Sequence, residues 1–162
     1  MTAKELVATA FYARSCIQIT RIAEILGYAD DAARYAALRD HVIAGFLDRF
    51  IRLDGTMTSD TQCAYALAIA FGLLDGEPVR KVKAGNCLAC LVRESGGKVS
   101  TGFAGTPFVL PALTQTGHDD EAYQLLTSTE CPSWLYQVTM GATTTWERWD
   151  SMRPDRSLNP GA

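Results

Sequence analysis

Several features that would assign a function at once are missing from this chain of 162 residues. Its longest apolar run, CAYALAIAFGLL at 63–74, has about a dozen residues, whereas a membrane span takes roughly 20. The net charge is −3 and charges of both signs are interspersed, so no basic stripe is available to bind a phosphate backbone. We therefore expect neither a membrane nor a nucleic acid as a partner.

The chain also lacks the paired cysteines of a disulfide framework or a zinc site. Its five cysteines are an odd number, and three lie in apolar helical patterns, which is typical of free thiols in a reducing compartment. Cys87 and Cys90 form a CxxC pattern with no second pair and no preceding strand, so we expect a structural role, and no metal or cofactor. The N-terminus does not resemble a secretory signal, which leaves the compartment open and slightly favours the cytoplasm.

What the chain does have is helical periodicity as far as residue 130. Apolar residues recur every three or four positions and predict six helices. The first, third and fifth span 3–26, 63–74 and 106–113. The second runs from YADD (28–31) to LDG (53–55), the fourth from Pro78 to SGG (95–97), and the sixth from the acidic pair at 119–120 to about 129. The helix at 63–74 is apolar on nearly every side and must be covered all round. Short links predict antiparallel hairpins in an all-α fold, arranged as a bundle, a solenoid or an α/α toroid.

Residues 131–150, CPSWLYQVTMGATTTWERWD, break this pattern and contain all three tryptophans. We expect them to be irregular or partly extended, and in an extended chain Glu147 and Trp149 share one face while Trp146 and Arg148 share the other. An indole ring can stack on a sugar while a carboxylate acts as acid, base or nucleophile. The same residues fit an ordinary strand with a Glu–Arg pair and packed tryptophans, and composition alone favours that second interpretation.

Most of the chain, in order, resembles the catalytic domain of bacterial and fungal α-L-rhamnosidases. The similar segments are TSDTQCAYALAIAFGLL (58–74), STGFAGTPFVLPALTQTGHDDEAYQLL (100–126), CPSWLY (131–136) and GATTTWERWD (141–150). Because this family belongs to the six-hairpin glycosidases, the resemblance implies about half of an (α/α)₆ toroid. The partial domain would comprise helical hairpins at 1–130, an active-site segment at 131–150 and a truncated tail at 151–162.

The resemblance also implies a reaction and the residues that perform it. Such enzymes hydrolyse terminal α-L-rhamnosides with inversion: one carboxylic acid protonates the leaving oxygen and a second carboxylate activates water. The family's general base is similar to the glutamate of WERW, which implies Glu147, and Trp134 and Trp149 are candidate sugar platforms. Nothing in residues 1–57 resembles the segment that carries the general acid, so we expect the chain to be part of a longer enzyme.

Two functions thus stay open at this point. The first is the glycosidase, and the second is a non-catalytic helical module that binds carbohydrate or another protein. Half of a toroid would also expose apolar helix faces, above all on the helix at 63–74, so we expect self-association of the isolated chain.

Overall fold

The computed structural model describes residues 1–161, which contain seven α-helices. They are α1 (Lys4–Leu26), α2 (Ala29–Phe50), α3 (Gln62–Ala70), α4 (Pro78–Glu94), α5 (Thr106–Gln115), α6 (Asp119–Thr127) and α7 (Trp134–Thr139). Extended pairing within residues 1–161 is limited to two isolated antiparallel bridges, Ile51 with Met57 and Met152 with Leu158. The all-α prediction is therefore confirmed, and α1 to α6 correspond to the six predicted helices.

The helices pair into three hairpins, α1 with α2, α3 with α4 and α5 with α6. Gly27 ends α1 with φ of 77°, a left-handed conformation that glycine adopts without strain, so the chain reverses into α2 within two residues. The first helices of the hairpins also contact one another, since α3 packs against both α1 and α5. We call α1, α3 and α5 the inner row.

The helices of the inner row begin at the same end of the molecule. Thr2 Oγ1 lies 2.8 Å from Thr61 Oγ1, which brings together the starts of α1 and α3. Gly105, the residue before α5, packs so closely on Cys63 that an added Cβ would lie 2.8 Å from the sulfur. The three helices therefore run in the same direction, and the turn that leads into α5 emerges at their common N-terminal end.

The central helix α3 is shorter and better covered than the sequence predicts. It ends at Ala70, and the apolar residues 71–74 that extend the hydrophobic run form turns instead. Residues 62–69 are buried on every side, because α1, α4 and α5 all contact α3. The expectation that this helix needs partners from outside the chain is wrong, since neighbouring hairpins of the same chain cover it.

All five cysteines are free thiols, in environments that range from buried to exposed. Cys87 and Cys90 lie in α4, where the Cys90 sulfur contacts a carboxylate oxygen of Glu94 at 3.3 Å. No group of His, Cys, Asp and Glu side chains within residues 1–161 is arranged to hold a metal ion. Over the same residues, no helix combines the length and apolarity that a bilayer crossing needs.

One face of α1 stays uncovered in this chain. Tyr12, Ile19, Ile22 and Leu26 are 38–61% exposed, and their spacing of three, four and seven residues places them along one side of the helix. We call these four residues the α1 stripe. Since apolar surface gains about 25 cal/mol per Å² when it is buried, this stripe favours contact with another apolar surface.

We expect the isolated chain to self-associate through the α1 stripe. Changing Ile19 and Ile22 together to lysine places positive charge there, and sedimentation velocity over a concentration series should then show a monomer where the unaltered chain associates. Changing Val79 and Val82 of α4 to lysine is the matched control, because these residues are also exposed but lie elsewhere. A monomeric unaltered chain at high concentration would show this expectation to be wrong.

Candidate active site

The segment at 131–150 is not wholly irregular, because it contains the helix α7. Ser133 is the N-cap of this helix, and its Oγ accepts a hydrogen bond from Tyr136 N at 3.1 Å. The sequence does not predict α7, because six residues are too few to show a helical period; its one signal is the capping serine. Residues 142–150 then adopt bends and turns, so the predicted alternation of side chains on an extended strand is wrong.

Two neighbouring side chains of α7 hold the residues around Glu147. Gln137, which is 5% exposed, accepts a hydrogen bond from Trp146 N at 2.9 Å. The Tyr136 ring packs edge to face against the Trp146 ring, with centroids 6.4 Å apart, and its hydroxyl donates to Met152 O at 2.7 Å. The chain is thereby fixed directly before Glu147 and five residues after it.

A polar cluster of Arg148, Asp150 and Asn159 fixes the same segment to the tail. Arg148 Nε donates to Asp150 Oδ1 at 3.2 Å, and Asn159 Nδ2 donates to Asp150 Oδ2 at 2.7 Å. Partial burial acts to raise the pKa of Asp150, but the hydrogen bonds and the guanidinium charge outweigh burial and lower it overall. Asp150 is therefore an ionised carboxylate with its hydrogen bonds already made.

Glu147 differs from Asp150 in having no protein partner. Its side chain is exposed, and it makes no hydrogen bond or ion pair within residues 1–161. Arg148, the neighbouring guanidinium, pairs with Asp150 instead. The interpretation of this segment as an ordinary strand with a Glu–Arg pair is therefore wrong, and the Glu147 carboxylate is available to water or a ligand.

Glu147 lines a cavity of about 410 Å³ at the N-terminal end of α5. The walls come from the turn at 101–107, from α7 and from residues 145–150, so Trp134, Glu147 and Trp149 all lie around one space. The Trp134 and Trp149 rings touch edge to face, with centroids 5.4 Å apart and planes at 78°. Together they form two walls of the cavity that stand nearly at right angles.

Phe103 and Gln137 are among the residues of this cavity that the sequence did not predict as site residues. Phe103 is 78% exposed in the turn GFAGTP and lines the cavity. The sequence feature that could have predicted this is an aromatic residue between two glycines in a loop. Gln137 is the polar residue in the otherwise mostly apolar WLYQVT of α7, which is a weaker signal. Neither residue has a role that its type alone would reveal, since both depend on contacts between distant parts of the chain.

Only two carboxylates, Glu147 and Asp150, are among the described residues that line the cavity. Because Asp150 is bound by Arg148 and Asn159, the cavity offers one free carboxylate beside aromatic walls. Helical hairpins thus support a cavity at the N-terminal end of the inner row, where a free carboxylate and aromatic rings could contact a small ligand.

Comparison with known proteins identifies the family. Residues 1–161 match the model of the bacterial alpha-L-rhamnosidase six-hairpin glycosidase domain, and the chain belongs to this family. The fold and the resemblance expected from the sequence motifs are thereby confirmed.

Solved and characterised relatives agree with this assignment. The chain is 42% identical over 154 residues to an alpha-L-rhamnosidase of Streptomyces avermitilis, a match that covers 95% of the chain. The structure of that organism's alpha-L-rhamnosidase complexed with L-rhamnose has a TM-score of 0.90 at 41% identity over 98% of the chain. The native alpha-L-rhamnosidase of Aspergillus terreus has a TM-score of 0.94 at 38% identity over 99% of the chain. The chain spans 15% to 18% of the length of these relatives.

Acid should loosen the cluster around Asp150. Its folded pKa lies below the ordinary value of 3.8, so the cluster is intact above that pH and is lost as the pH falls through the lowered folded value. We expect tryptophan fluorescence to shift towards that of exposed indole in this acid range, because Trp149 is the neighbour of Asp150. In Asp150→Asn the shift should already be present at neutral pH.

Asp155→Asn is the matched control for this experiment. Hydrogen bonds from Ser157 likewise lower the pKa of Asp155, but this residue lies in an exposed turn of the tail. The Asp155→Asn variant should show the same acid-induced change in tryptophan fluorescence as the unaltered chain. An unchanged acid transition in Asp150→Asn would mean that Asp150 does not fix the segment.

Proposed function

We propose that this chain provides the general-base side of an inverting glycosidase site for terminal α-L-rhamnosides, as part of a longer polypeptide. The observation that carries the proposal is the free Glu147 carboxylate in an aromatic cavity, next to a second carboxylate that is already bound. The family membership of residues 1–161 supports the reaction class. In this proposal, residues 1–130 are the supporting hairpins, 131–150 the active-site segment and 151–162 a tail.

Inverting hydrolysis needs two carboxyl groups about 6.5 to 9.5 Å apart, on opposite sides of the scissile bond. The base takes a proton from water, whose oxygen attacks the anomeric carbon, while the acid gives its proton to the leaving oxygen as the C–O bond breaks. Glu147 is exposed and unpaired, so it can contact that water. Asp150 is unsuited to the acid's role, because the groups that bind it favour its ionised form. We propose that the acid comes from another part of the domain.

The tryptophans would give the cavity its preference for a sugar. Because the Trp134 and Trp149 planes stand at 78° to each other, one ring can lie against the flat C–H face of a pyranose while the other contacts its rim. L-Rhamnose suits such walls because its C6 methyl group adds apolar surface. The Streptomyces avermitilis relative is a complex with L-rhamnose, which supports the same ligand class here.

A second candidate is a carbohydrate-binding module without catalysis. The observation that favours it is that the described residues supply one free carboxylate to the cavity, whereas inversion needs two. In this case the aromatic walls would bind L-rhamnose, and Glu147 would act as a hydrogen-bond acceptor for its hydroxyls.

A comparison of two polypeptides separates these candidates. One is residues 1–162. The other, which we call the flanked polypeptide, is the same chain with any flanking sequence that its gene encodes. With 4-nitrophenyl α-L-rhamnoside, we expect turnover only by the second polypeptide, and a loss of roughly 10²- to 10⁴-fold in kcat for Glu147→Gln. Glu24→Gln, which changes an exposed glutamate of α1, is the control and should retain full activity.

The other outcomes are equally informative. Binding of L-rhamnose without turnover by the flanked polypeptide would support the module. Turnover by residues 1–162 that Glu147→Gln abolishes would show that the acid lies within this chain. Full activity of Glu147→Gln would remove Glu147 from the mechanism.

A further inference from the structure

We propose that Gln137 is a two-ended positioning residue of this site. Its amide oxygen holds the peptide that precedes Glu147, and its amide NH₂ group donates a hydrogen bond to a hydroxyl of the bound sugar. The inference rests on the proposed role of Glu147 as general base, and it assigns to α7 a direct part in ordering and filling the cavity.

The orientation of the Gln137 amide follows from its partner. A backbone N–H can only donate, so the Gln137 atom that lies 2.9 Å from Trp146 N must be the oxygen. The NH₂ group therefore points away from this contact. A flipped amide would place two donors against each other and is excluded by chemistry.

The NH₂ group of Gln137 is left for a ligand. This NH₂ group makes no hydrogen bond within residues 1–161, although Gln137 is only 5% exposed. No fully buried side-chain nitrogen or oxygen in the described chain lacks a partner, so this nitrogen must reach solvent. Gln137 is one of the residues that line the cavity, so the cavity is where its NH₂ group would meet a ligand. A sugar hydroxyl can accept there without displacing a protein group.

The oxygen end of Gln137 matters because the segment beyond α7 has no regular structure. Residues 142–150 form bends and turns, so backbone hydrogen bonds of a helix or strand do not set the position of Glu147. The bond to Trp146 N fixes the peptide next to it, and the Tyr136–Trp146 ring contact restrains the same residue. A displacement of about 1 Å at a reacting group can reduce the rate about 10²-fold.

Two substitutions separate the two ends in the flanked polypeptide. Gln137→Met keeps the approximate volume and removes both the oxygen and the NH₂ group. We expect kcat to fall roughly 10- to 100-fold and KM to rise. Gln137→Glu keeps an oxygen for Trp146 N and removes the donor. We expect KM to rise by about three- to tenfold, the loss of one hydrogen bond, while kcat at its best pH stays within about threefold.

Tyr65→Phe is the matched control for a purely structural loss. Tyr65 is fully buried, and its hydroxyl oxygen accepts a hydrogen bond from Met57 N at 3.2 Å, away from the cavity. This change also deprives a backbone N–H of its side-chain acceptor. It should lower the melting temperature and leave both kcat and KM of the folded protein unchanged.

A second measurement addresses the Trp146 contact without relying on turnover. Hydrogen exchange followed by mass spectrometry should show faster exchange of the Trp146 amide in Gln137→Met, by about tenfold or more, and slow exchange in Gln137→Glu. Slow exchange in both variants would overturn the positioning role even if either variant were poorly active.

Failure of this inference differs from failure of the proposed function. If Glu147→Gln is inactive and Gln137→Met keeps its kcat, then Gln137 does not position the base. If Glu147→Gln stays active, the base is assigned wrongly, whatever Gln137 does. An unchanged KM for Gln137→Met would show that the NH₂ group does not contact the sugar, because methionine offers a sugar hydroxyl neither this donor nor an acceptor oxygen in its place.

Discussion

The candidate site depends on one constraint: the residues that carry Glu147 have no helix or strand of their own. The conformation of residues 142–150 is therefore set by side chains of α7, through the hydrogen bond between Gln137 and Trp146 N and through the contacts of Tyr136. Asp150 completes the arrangement by pairing with the guanidinium of Arg148, the cation next to Glu147 in sequence. A carboxylate left without a partner is thus a consequence of how its neighbours are paired.

The helical scaffold explains why the cavity forms where it does. Contacts at the starts of α1, α3 and α5 align the inner row, and the close fit of Gly105 on Cys63 sets the turn at 101–107 against α3. Val99 N donates to Pro132 O at 3.0 Å, so the chain before that turn is joined to the chain before α7. This backbone hydrogen bond therefore links the cavity wall that contains Phe103 to the wall that contains Trp134.

The apolar pattern of the sequence was sufficient to predict α1 to α6, because five of these helices bury one face and α3 is buried on every side. It failed at the end of α3, where Phe71, Leu73 and Leu74 remain buried although the backbone turns at Gly72, with φ of 71°. It also failed for α7, whose six residues are held by a cap and by tertiary contacts. Trp134, Glu147 and Trp149 were found through family motifs, whereas Phe103 and Gln137 gain a place in the cavity only when the chain folds.

We propose that Glu147 activates the nucleophile on one side of the sugar while a separate acid serves the other. Azide rescue of Glu147→Ala in the flanked polypeptide tests it most directly, because azide needs no base to attack. We expect azide to restore release of 4-nitrophenol from the α-L-rhamnoside and to form a rhamnosyl azide of inverted, β configuration. Failure of azide to restore turnover in a variant that still binds L-rhamnose, or an azide product of α configuration, would contradict it.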